Sequence, residues 1–187
     1  MLDELLRNTL PARIALLCLL TAIAVPAGAA PAQQPAVVKA RIEMAPRAVS
    51  AGSTARAKAI AKVAPGYHIN AHHPSLSYLI PTELHLQPGK AFAVERIDYP
   101  PGKIRRFAFS DTGLSVYEGA VTIAVLLKVN PAIAPGEYTL QGKLVYQACN
   151  DHACLPPASV PLQTKVRVTG ARAPAANSHG SPDAPTR

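Results

Sequence analysis

The chain has 187 residues, 19 Lys+Arg against 11 Asp+Glu for a formal charge of +8, and 49% hydrophobic residues. That length suits one domain with a core, and 19 prolines and 11 glycines with no tryptophan argue against a helical bundle and for short strands broken by turns. The basic residues are scattered and mostly alternate with apolar ones, with no basic stripe interleaved with aromatics. This argues against nucleic acid as a partner and for a solvated face.

Residues 1–29 read as a secretory signal. Arg7 and Arg13 supply positive charge, Asp3 and Glu4 dilute it, and Ile14 to Val25 form an apolar run too short to span a bilayer comfortably. Ala27-Gly28-Ala29 offers the small-x-small cleavage pattern. An uncleaved N-terminal anchor is the alternative. Leu17 directly before Cys18 suits a lipoprotein processing site badly, so Cys18 is assigned to the discarded segment and no membrane span is expected after cleavage. Export leaves Cys149 and Cys154 as an even pair in an oxidising compartment, where they can form a disulfide.

Residues 30–36 read as a linker. Strands are then expected over Val37 to Met44 and over Thr54 to Val63, where Ala55, Ala57, Ala59, Ala61 and Val63 share a face with period two. After the Pro65-Gly66 turn come Gly66-Tyr67-His68-Ile69-Asn70 and a polar loop through His72, His73 and Pro74. Leu79 to Leu86 and Phe92 to Tyr99 are further strand candidates around the Gln87-Pro88-Gly89-Lys90 turn. Ile104 to Val116 reads as irregular and carries Phe107 and Phe109, two of only three phenylalanines. Val121 to Val129, Glu137 to Ala148 and Leu162 to Val168 complete a set of roughly eight strands, an all-β, immunoglobulin-like antiparallel sandwich. From Gly170 to Arg187 the tail is too poor in large apolar groups to fold.

The chemistry concentrates in Tyr146 to Pro157, where Asn150, Asp151, His152 and Ala153 separate the two cysteines. A loop of about 15 residues closed by a disulfide gives roughly 3 kcal/mol, and a shorter ring gives less. So small a ring is a poor staple, and a bond that constrains little points to one meant to open and close. Pro156-Pro157 stiffens the exit from the loop. His152, as a cation, would favour a thiolate on either cysteine, and Asp151 would oppose it. Two other readings stay open: an inert disulfide in a binding or adaptor sandwich, and a copper or zinc site made by Cys149, His152 and Cys154 with His72 or His73, although the spacing matches no standard zinc pattern.

Gly66-Tyr67-His68-Ile69-Asn70, Leu79-Ile80-Pro81-Thr82, Tyr99-Pro100, Val116-Tyr117-Glu118-Gly119 and Tyr146-Gln147-Ala148-Cys149 through Cys154-Leu155-Pro156-Pro157 occur in this order. Together they resemble the N-terminal periplasmic domain of DsbD-type thiol:disulfide interchange proteins, over about residues 37–168. The resemblance implies an immunoglobulin-like domain over 37–169, part of a protein-disulfide reductase system. It would take electrons from a membrane thiol reductase and pass them to thioredoxin-fold periplasmic proteins. Cys154 would form the mixed disulfide with partners and Cys149 would be the resolving thiol, an order that local sequence does not supply. Phe107 or Phe109 would be the lid of a cap loop from Arg105 to Gly113, and His68 and Asn70 would stand beside the pair. No cofactor and no resident metal are implied, and a monomer is expected. The chain differs from well-known members in carrying Arg105-Arg106 where they have an acidic-aromatic cap, and in a cysteine spacing one residue shorter than in some. No membrane or thioredoxin domain follows, so electrons are expected from a separate protein.

Overall fold

The computed structural model describes residues 36–171. The expected signal at 1–29 with Cys18, the linker at 30–36 except its last residue, and the tail beyond residue 171 lie outside the described residues. Twelve strands make up the described chain: Val38–Met44 (β1), Ala48–Ser50 (β2), Thr54–Val63 (β3), His68–Asn70 (β4), Glu83–Gln87 (β5), Phe92–Asp98 (β6), Lys103–Arg105 (β7), Leu114–Tyr117 (β8), Ala120–Val129 (β9), Gly136–Tyr146 (β10), Ala148–Cys149 (β11) and Ala158–Thr169 (β12). Among the described residues no helix is long and apolar enough to cross a membrane.

Two four-stranded sheets, ordered β1-β3-β9-β6 and β2-β12-β10-β5, contribute their inner faces to one buried cluster. All pairings within them are antiparallel except the short β2–β12 contact. The result is an immunoglobulin-like β-sandwich. A third sheet, β11-β4-β8-β7, carries the cysteine segment.

Period-two alternation explains the core. β3 buries Ala55, Ala57, Ala59, Ala61 and Val63, and β9 buries Val121, Ile123, Val125, Leu127 and Val129. The register sets Ala55, Ala57, Ala59 and Ala61 against Leu127, Val125, Ile123 and Val121, while Ile42 and Met44 of β1 lie across from Ala59 and Ala57. A row of small side chains thus runs between two rows of large ones, which lets the inner face interdigitate at the density of a protein interior. That is why an alanine-rich strand is central here.

Several boundaries differ from the sequence reading. The strand expected from Leu79 begins only at Glu83, because Pro81 has no N–H to give a ladder and Leu79 donates its N–H to Leu76 in a turn (3.2 Å). The stretch read as irregular from Ile104 to Val116 holds β7 and β8, an antiparallel pair joined by residues 106–113. Gly136–Tyr146 and Ala148–Cys149 are separate strands in different sheets, where one strand through Ala148 was expected.

Passage from β3 to β4 depends on a turn at Ala64-Pro65-Gly66-Tyr67. Pro65 presets φ, Gly66 takes φ +77°, and the Tyr67 N–H donates to the Ala64 carbonyl at 3.2 Å. The turn carries the chain out of the β1-β3-β9-β6 sheet and delivers His68 to the third one.

Candidate functional site

Cys149 and Cys154 are joined by a disulfide, with Cα atoms 3.9 Å apart across an antiparallel bridge. Backbone geometry brings them together. The Leu155 N–H donates to the Ala148 carbonyl at 2.8 Å, the Asn150 N–H donates to the Ala153 carbonyl at 3.0 Å, and the Gln147 side chain donates to the Leu155 carbonyl at 3.2 Å. The tip is closed by Asn150, whose Oδ1 accepts from the N–H groups of both His152 and Ala153 at 2.9 Å. Asn150 was not among the expected site residues. An Asn followed by a polar pair inside so short a loop is an Asx-turn signal and could have marked it.

The two sulfurs have unequal surroundings. Cys149 is the end of β11 and only 2% exposed, whereas Cys154 lies on the exposed side of the hairpin. Two residues in covalent contact therefore face different media. One side of the bond is open to an incoming thiol and the other is packed against sheet.

β4 supplies the floor of the site. Its Ile69 pairs with Ala148 and its His68 with Cys149 on one side, while Ile69 and Asn70 pair with Tyr117 and Val116 of β8 on the other. His68 is 3% exposed, and its fully buried Nε2 has no hydrogen-bond partner among the described residues. An unpartnered buried nitrogen of this kind costs about 1–3 kcal/mol. Burial holds its pKa below the usual histidine range, against the opposing pull of Glu118 and Asp151.

The Phe107 ring stacks on His68, with centroids 4.2 Å apart and planes inclined 24°, and Phe109 stacks on Phe107 at 5.2 Å. Phe107 is half-buried and Phe109 is 49% exposed. Both sit in the loop of the β7–β8 hairpin, which folds over β4. Arg105 anchors its base by donating through Nε (3.0 Å) and Nη2 (2.6 Å) to Glu118 Oε2. Arg105 is thus half of an ion pair with Glu118. Beneath the loop, Lys62, Tyr67, His68, Phe107, Glu118 and Asp151 line an open cleft of about 430 Å³.

The other expected residues lie elsewhere. Asn70 is 1% exposed, donates from Nδ2 to the Ile80 carbonyl at 2.9 Å, and accepts from Thr82 Oγ1 at its own carbonyl at 2.6 Å. It ties the following loop to β4 and leaves the cysteines to His68. His152 is exposed at the hairpin tip and is held through its backbone. His72 stacks flat on Tyr99 with centroids 3.6 Å apart, and its Nδ1 lies 3.1 Å from the Thr82 carbonyl. Among the described residues no group of three or more His, Cys, Asp or Glu side chains converges.

Fold and site together define a β-sandwich that carries a short-ring disulfide, half buried and half exposed, beside an aromatic loop. The chain belongs to the family described as thiol:disulfide interchange protein DsbD, N-terminal, whose model matches residues 34–164. No curated protein matches it in sequence. Among solved structures it is similar to the N-terminal periplasmic domain of ScsB from Proteus mirabilis, at 16% identity and TM-score 0.48, covering 67% of this chain and 45% of that one. The chain thus spans under half of that relative. It is also similar to the reduced DsbD N-terminal domain of Neisseria meningitidis, at 17% identity and TM-score 0.42, with 63% and 82% covered. A third likeness is to a complex of the DsbD and PilB N-terminal domains from Neisseria meningitidis, at 14% identity and TM-score 0.38, with 68% and 80% covered.

Proposed function

We propose that this chain is a periplasmic electron carrier that works by dithiol/disulfide exchange, placed there by a signal at residues 1–29. It would take electrons from a membrane thiol reductase and pass them to thioredoxin-fold proteins. Family membership supports the chemistry. The observation that carries the reading is the unequal exposure of the two joined cysteines, Cys154 open and Cys149 2% exposed.

In the reduced chain the Cys154 thiolate attacks a partner disulfide. A mixed disulfide forms and one partner sulfur leaves as thiolate. Cys149 then attacks Cys154 Sγ, the internal disulfide closes, and the second partner sulfur leaves. The carrier loses two electrons and the partner gains them. Reduction of the carrier is the reverse sequence, begun by a reductase thiolate on the exposed Cys154. Phe107 and Phe109 form the cap over the buried side of the pair.

The test is trapping. With Cys149→Ala in the full chain, Cys154 should hold a thioredoxin-fold partner as a stable mixed disulfide, and Cys154→Ala should hold none. The disulfide potential should lie above roughly −300 mV, where inert secreted crosslinks end. Partners trapped through Cys149 would reverse the roles. A potential below that limit with no trapping by either variant would leave an inert crosslink.

A further inference from the structure

His68 takes no part in the exchange as written above, yet the register sets it directly opposite Cys149. Residues so opposed in an antiparallel pair carry their side chains on one face, with Cβ atoms about 4.5–5.5 Å apart. Cys154 continues the row on the far side of Cys149 through the next antiparallel bridge. The three side chains therefore lie in line across three adjacent segments. At one end stands an imidazole, 3% exposed, roofed by Phe107, with a buried Nε2 that has no partner among the described residues.

We propose that His68 is the base that takes the proton from Cys149 in the resolving step, an inference resting on the exchange reading above. A thiol as buried as Cys149 ionises reluctantly, and water has poor access to it. Neutral His68 accepts the thiol proton through Nε2. The freed electron pair on the Cys149 sulfur attacks Cys154 Sγ and forms the internal disulfide. The Cys154–partner bond breaks, and its electron pair departs on the partner sulfur, which collects a proton from the imidazolium or from solvent. No further oxidant enters.

The groups facing His68 fit this cycle. Glu118 and Asp151 attract the imidazolium once it forms, Arg105 tempers Glu118, and Lys62 and Tyr67 complete the cleft wall. Burial keeps the imidazole neutral, and so ready to accept, near neutral pH.

The experiment needs no natural partner. The full chain carrying Cys18→Ser is reduced and mixed with 5,5′-dithiobis(2-nitrobenzoate). The first released thionitrobenzoate reports attack by Cys154, and the second reports closure by Cys149. In otherwise wild-type protein, closure should be nearly independent of pH between the titrations of His68 and Cys149. In His68→Gln and in His68→Phe it should slow on the order of 100-fold at pH 7 and rise about tenfold per pH unit, with the first release unchanged. A wild-type closure rate that already rises tenfold per unit without a plateau overturns the role of His68, whether or not either variant folds. So do variants that close at the wild-type rate. Failure of the wild-type chain to close at all overturns the exchange reading itself.

Discussion

At the scale of single residues, His68 and Asn70 stand two apart on one short strand, both buried, and do unrelated work. Asn70 finds a carbonyl for its amide and a hydroxyl for its own carbonyl, so it is a fastener. His68 finds a phenyl face and, among the described residues, no partner for Nε2. That difference has a consequence for stability. The folded pKa of His68 is lowered from 6.5, so between the folded value and 6.5 the unfolded chain binds more protons than the native one. The stabilising contribution of neutral burial is complete above 6.5 and is lost as pH falls below it. Thermal midpoints of wild-type protein should therefore drop more between pH 7.5 and 5.5 than those of His68→Phe. Equal drops would show that His68 titrates normally in the fold. The motif around Gly66 to Asn70 marked both residues, and nothing local told them apart, because the deciding neighbours Phe107 and Ile80 come from other segments.

Secondary elements were legible where alternation is long. β3, β9 and β12 show their buried faces in the sequence itself, since residues i and i+2 share a face wherever a strand forms. The short pieces of the third sheet were not. β7 is three residues with none buried, β11 is two, and so few positions display no period. Yet β7 and β8 form the hairpin that puts Phe107 on His68. Phe107→Ala should unroof His68 and, on the proposed cap role, speed reduction of the disulfide by dithiothreitol several-fold in stopped-flow measurements. Because Phe107 is only half-buried, the loss of stability should fall short of the roughly 3–5 kcal/mol of a core phenylalanine. An unchanged reduction rate would leave the loop no cap function.

For the molecule as a whole, stability resides in the sandwich, with the disulfide on a separate sheet. The cysteines are five apart in sequence, and the chain-entropy relation gives so small a ring about 2 kcal/mol. Reduced protein should keep its fold, and its urea unfolding free energy should fall by about that amount. Unfolding on reduction alone would make the bond a staple and defeat a carrier role. Scattered cations contribute little here. Pairs such as Arg41 with Glu43 and Lys165 with Glu137 are exposed, where solvent and salt screen most of the attraction.

Composition and alternation alone determined an all-β sandwich with a close cysteine pair, because strand period, turn residues and loop length are properties of neighbouring positions. Tertiary structure decided which sulfur is shut in, that the irregular stretch holds a hairpin whose Phe107 stacks on His68, and that an imidazole stands across from Cys149. Those facts follow from pairing register between segments distant in the chain, and register depends on how whole faces bury against one another.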